Sequence, residues 1–65
     1  MVINYILPDG SFHQFLDGYK FIPRKEDIVY FDVRYLVTLI EYIHKKEQHY
    51  YTLKEINIHL EKFDK

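Results

Sequence analysis

The chain has no cysteine, no alanine, two glycines and a single serine. Each shortage excludes something. Without cysteine no disulfide can staple a domain of 65 residues, and no thiolate is at hand as nucleophile or metal ligand. The absence fits a reducing compartment. Without alanine, the best helix former, any helix would be built from weaker residues. The one serine, Ser11, follows Gly10 in a turn-like stretch and stands in no Gly-x-Ser-x-Gly elbow. Neither Gly10 nor Gly18 belongs to a phosphate-binding loop. No apolar run reaches the length of a membrane span, and Asn4, Pro8 and Asp9 interrupt the first one, which argues against a signal peptide. The expectation is a soluble, cytoplasmic protein that is not an enzyme and carries no cofactor.

What the chain does have is apolar and aromatic mass. Hydrophobic residues make up 48% of it, with seven tyrosines and five phenylalanines. A domain this small buries only about 60% of its unfolded surface, so large rings are the economical way to fill its core. Charge is nearly balanced: nine Lys and Arg against ten Asp and Glu give a net −1. A nucleic-acid binder usually carries a clear basic excess. Residues 1–32 hold three basic and five acidic groups, and residues 33–65 hold six and five. No linker, repeat or low-complexity run divides the sequence, which reads as one domain over 1–65. Its composition resembles that of small phage or mobile-element proteins from AT-rich genomes.

The start reads as a β-hairpin. Val2 to Leu7 is apolar and β-branched, Pro8-Asp9-Gly10 is a turn with glycine at the left-handed position, and Ser11 to Leu16 returns. Pairing Leu7 with Ser11 sets Tyr5 against His13 and Asn4 against Gln14. One face then holds Val2, Ile6, Phe12 and Leu16, the other Ile3, Tyr5, Leu7 and Phe15. Both are apolar enough to need cover. Asp17-Gly18 is a second turn signal.

The run Phe21 to Ile43 admits two readings. Val33, Leu36, Val37, Ile40 and Ile43 share one helical face, and Thr52 to Glu55 has capping-box spacing ahead of a Leu53, Ile56, Leu60, Phe63 stripe. An α+β fold with helices at 33–46 and 52–63 is the alternative. The strand reading is preferred. Val29 and Phe31 alternate, Asp32-Val33-Arg34 makes a turn, Tyr35 and Val37 alternate, and a bulge near Thr38-Leu39 brings Ile40 and Tyr42 to the same side. Ile56, Ile58 and Leu60 alternate with Asn57, His59 and Glu61, a clean period of two that a helix would break at Ile58. The expected fold is all-β, with strands near 2–7, 11–16, 27–32, 35–44 and 50–61. Its core should hold Ile6, Phe12, Phe21, Val29, Phe31, Val37, Ile40, Ile56, Ile58 and Leu60.

The spacing Pro23-x-x-x-Asp27-Ile28-Val29, then Tyr35-x-Val37, then Ile56-x-Ile58-x-Leu60, resembles small barrels of the Src-homology-3, KOW and Tudor kind. The resemblance covers residues 21–61 and implies a five-stranded SH3-like barrel that serves as a binding module. Two positions depart from the pattern. Glu26 stands where glycine normally precedes the Asp, and Val33 stands where the turn has glycine.

The chemistry-bearing residues point the same way. His44 and His49 lie five apart around Lys45 and Lys46, which is not a zinc spacing, so no metal site is expected. Acid pairs such as Glu26-Asp27 need a cleft for acid–base work, and a chain this short has little room for one. The aromatic and basic residues are the better lead, because tyrosine and arginine are favoured at interfaces. Tyr5 and Tyr35 are expected in the core, and at least one of Tyr50 and Tyr51 at the surface. The candidate partner-binding set is Arg24, Lys25, Arg34, Lys45, Lys46, His49, Tyr50 and Tyr51. The function expected is a non-enzymatic protein-interaction module, for instance a phage-encoded inhibitor or adaptor of a host protein, with self-association through edge strands as a further possibility. The alternative is a nucleic-acid-binding barrel in which tyrosines stack on bases beside lysines. No membrane partner is expected.

Overall fold

In the computed structural model, residues 1–16 and 22–64 are described. They form five strands: β1 (Val2–Ile6), β2 (Phe12–Phe15), β3 (Ile28–Phe31), β4 (Val33–Glu47) and β5 (Tyr50–Lys62). Both segments considered for helices, 33–46 and 52–63, lie in β4 and β5, so the helical alternative falls. The period of two prevails because Ile56, Ile58 and Leu60 must all point inward, across from Tyr42, Ile40 and Val37. No described helix is long and apolar enough to cross a membrane.

The five strands make one sheet in the order β2-β1-β5-β4-β3. β1–β2, β3–β4 and β4–β5 are antiparallel, while β1 and β5 run parallel. The sheet curls into a half-barrel, and ring contacts prove the curl. On a flat sheet, β2 and β3 would stand almost 20 Å apart at about 4.8 Å per strand step. Yet His13 of β2 stacks on Phe31 of β3 with ring centroids 4.8 Å apart. Tyr5 of β1 meets the same Phe31 at 5.2 Å and Phe15 at 5.5 Å, both edge to face.

The inner face carries the core: Ile3, Tyr5, Val37, Ile56, Ile58 and Leu60 are buried. Leu7, Phe15, Ile22, Val29, Phe31, Tyr35, Ile40 and Leu53 pack around them. Two expected core residues differ. Ile6 is half-buried and Phe12 is 56% exposed, because both lie on the outer face with Asn4 and Gln14. Phe21, like the Asp17-Gly18 turn, falls outside the described residues.

Three turns set the strand lengths. The β1–β2 turn forms as expected: Leu7 N donates to Ser11 O at 2.8 Å, Gly10 N to Leu7 O at 2.9 Å, and Gly10 takes a φ of 91°. Between β3 and β4 a single residue, Asp32, bridges the strands with a φ of 64°. Val33 and Arg34, expected in that turn, already belong to β4, since Asp tolerates the left-handed region far better than Val. The β4–β5 turn is Gln48-His49, with Gln48 at φ 55°. A bulge falls between Val37 and Leu39, as the sequence indicated, and a second one near Ile43 leaves Lys54 as the extra residue of β5.

Candidate interaction surface

β4 and β5 outrun the rest of the sheet. β1 covers β5 only over Glu55–His59, and β3 covers β4 only over Val33–Leu36. Residues 44–54 therefore pair only with each other among the described residues, as a two-stranded arm reaching roughly 15 Å beyond its neighbours at about 3.3 Å per residue. The arm makes the molecule long, 47 × 20 × 19 Å. Its radius of gyration is 13.0 Å, against about 11 Å for a compact chain of this length.

Five of the eight candidate residues sit on this arm. Register places Lys46 opposite Tyr51, Lys45 opposite Thr52 and Glu47 opposite Tyr50. Side chains alternate along each strand, so Lys46 and Tyr51 share one face while Lys45 and Tyr50 share the other. Each face of the ribbon thus sets a lysine beside a tyrosine, and His49 occupies the turn. Tyr50 is 56% and Tyr51 66% exposed. Lys54 and Glu47 pair across the arm at 2.7 Å, which neutralises two of its charges. Thr52 Oγ1 is buried and has no hydrogen-bond partner among the described residues.

The other three candidates lie elsewhere. From Arg34 to Lys45, β4 climbs on the order of 35 Å, so Arg34 does not share a surface with the arm. Arg34 instead holds its guanidinium over the Phe63 ring, 5.7 Å from the centroid. With Tyr30, Val33, Lys62 and Asp64 they line a shallow groove of about 440 Å³. Arg24 and Lys25 occupy the turn before β3. There Arg24 N donates to Asp27 Oδ2 at 2.8 Å, and Glu26 N and Val37 N tie the turn to β4. Among the described residues no three His, Asp or Glu side chains come together as metal ligands.

Sequence reasoning did not isolate the outer polar ladder. Gln14, Asn4, Asn57 and Glu41 face one another in register across β2, β1, β5 and β4. Asn4, only 7% exposed, donates through Nδ2 to Glu55 Oε1 at 2.5 Å and Asn57 Oδ1 at 3.0 Å, and accepts from Gln14 Nε2 at 3.0 Å. One step along, His59 and Glu41 pair through Nε2 and Oε1. The opposition of Asn4 and Gln14, readable from the hairpin turn, was the signal that this face is the outer one.

No family model, curated protein or solved structure matches this chain.

Proposed function

We propose that the protein is a non-enzymatic interaction module that contacts a protein partner through the β4–β5 arm. The observation that carries this reading is the arm itself, a ribbon that outreaches its neighbouring strands, joined to the core at its base by Leu53, with exposed Tyr50 and Tyr51 beside Lys45, Lys46 and His49. An isolated two-stranded hairpin is marginal in water, so such an arm gains order when a partner covers it. Tyrosine supplies contact area at low entropic cost. The turn before β3 and the β3–β4–β5 meander together contain the residues that resemble Src-homology-3, KOW and Tudor barrels, and kinship with those modules belongs to this proposal. A phage-encoded inhibitor or adaptor of a host protein is the biological setting that agrees with the composition.

A second reading has one observation behind it. A two-stranded ribbon fits the major groove of DNA, and each face of this one pairs a lysine with a tyrosine. The net charge of −1 and the Lys54–Glu47 pair weigh against it.

The test is affinity purification of the tagged chain from a lysate of its source, split into nuclease-treated and untreated halves. A stoichiometric protein that survives nuclease and is lost with the double variant Tyr50→Ala/Tyr51→Ala is the expected result. Recovery that disappears with nuclease, or binding indifferent to both substitutions, overturns the reading.

A further inference from the structure

The arm leaves more than side chains unoccupied. The last bonds on the outer edge of β4 are at Val37, which donates to Asp27 O at 2.9 Å and accepts from Glu26 N at 2.8 Å. From Leu39 to Glu47, no described strand pairs with that edge. Long open edges are hazards that natural sheets blunt with short strands, proline or bulges. The two terminal strands of the sheet, β2 and β3, are indeed only four residues each. The β4 edge is longer, has no proline, and its bulge lies before Leu39. It also carries partly bared apolar groups, with Leu39 at 51% and Tyr42 at 54% exposure.

Which backbone groups point outward follows from the turn. Glu47 and Tyr50 close a two-residue loop, so their N–H and C=O groups face each other. Direction alternates back along the strand. Lys46, His44, Tyr42 and Ile40 therefore turn their donors and acceptors away from β5, and the extra residue at the second bulge is on β5, leaving this alternation intact. The edge is a template for an antiparallel strand.

We propose that a second copy of this chain supplies that strand, β4 against β4, antiparallel about a two-fold axis at Ile43. The charge pattern selects this register. Outward groups can bond only if residue numbers of opposed pairs sum to an even value. Centred on Ile43, Glu41 of each copy faces Lys45 of the other, twice over, while Tyr42 faces His44 and Ile40 faces Lys46. Centred one residue later, Glu41 would face Glu47 twice. Centred two residues earlier, Glu41 would face its own copy. Centred at Tyr42, it would face only Ile43. Like charges directly opposite destabilise a ladder and opposite ones support it. The pairing at Ile43 also makes about eight new backbone hydrogen bonds, two for each outward pair. Glu41, already in contact with His59 within its own chain, then gains the partner's lysine across the interface. The interface is isologous and closes on itself, so it ends at a dimer. It uses the backbone edge of β4 and does not depend on what Tyr50 and Tyr51 bind.

The experiment is sedimentation equilibrium of the full chain over micromolar to millimolar concentrations, with circular dichroism to confirm folding of each variant. The expected result is a monomer–dimer equilibrium. Lys45→Glu weakens it roughly tenfold to a hundredfold, because two favourable pairs become two repulsive ones. Lys46→Glu, facing Ile40, changes it much less. The double variant Glu41→Lys/Lys45→Glu restores dimerisation, because both favourable pairs are rebuilt with their charges exchanged. A monomer at every concentration overturns the proposal, as does a dimer equally sensitive to Lys45→Glu and Lys46→Glu. Since Tyr50→Ala/Tyr51→Ala leaves this edge untouched, loss of the external partner and loss of the dimer are separately visible.

Discussion

His13 and Phe31 come from opposite edges of the sheet and stack at 4.8 Å, which makes this pair the seam that holds the half-barrel curled. Phe31 also receives the edge of Tyr5 and lies 6.3 Å from Phe15, so one ring gathers contacts from β1 and β2. Phe31→Ala is expected to cost roughly 2 kcal/mol or more, measured by urea unfolding. The near-ultraviolet signal of the tyrosines should fall with it. A loss under half that size would mean the seam is ornamental.

Ile58 is fully buried opposite Ile40. Ile58→Asp places an unpaired charge in the core, and the expected penalty of several kcal/mol is on the order of the entire stability of a small domain. Circular dichroism should show an unfolded chain at room temperature. A melting temperature near that of the parent would contradict the inward alternation of β5.

Asn4 ties three strands through its amide. Asn4→Ala removes the central amide of the ladder and strands the carboxylate of Glu55 and the amides of Gln14 and Asn57. The expected loss is about 1–3 kcal/mol. Hydrogen exchange should show β1 and β2 opening before β4 and β5.

Asp9 accepts from Ser11 N at 2.9 Å and Ser11 Oγ at 2.6 Å. The side-chain bond first, and the backbone bond second, hold its carboxyl below the ordinary value of 3.8. A depressed pKa contributes stability above the unfolded value, which is lost as pH falls through the folded one. Asp9→Asn should therefore lower the melting temperature at neutral pH, with the difference from the parent closing below the depressed pKa. A gap that stays constant into strong acid would show that the charge is irrelevant to the turn.

Glu26 holds a φ of 77°, in the left-handed region that favours glycine. Its side chain is exposed, so little packing is lost on removing it. Glu26→Gly is expected to raise stability by about 0.5–1 kcal/mol, the release of left-handed strain less the added freedom of the unfolded chain. A drop in the denaturation midpoint would assign Glu26 a contact beyond its backbone.

Local chemistry made some of this fold legible. Pro8-Asp9-Gly10 gave the register of the first hairpin, and the alternation from Ile56 to Leu60 marked an inward face. The choice of face in β1 was harder, since Val2 and Ile6 are as apolar as Ile3 and Leu7. Asn4, sitting between Val2 and Ile6, decides it, because its amide finds partners only on the outer side. The arm stayed hidden for a different reason. Alternation shows which residues share a face, and it does not show where the neighbouring strands stop. The parallel pairing of β1 with β5 was equally out of reach, since no local pattern encodes a partner some fifty residues away. The unbroken length of β4 was equally hidden, which is why Arg34 shares a candidate set with Lys45 although the extended strand holds them far apart.

The parallel alliance of β1 and β5 carries a consequence for the order of events at the ribosome. Ile3 and Tyr5 find their neighbours only when Ile56 and Ile58 have emerged. The first hairpin is made early and has nothing to close upon, with half of its core face bare until synthesis is almost past residue 59. Folding then has to gather in one late step what translation delivered in sequence, and such long-range closure is slow for a chain this size. Until that closure, the bare apolar face of the first hairpin is open to rival pairings.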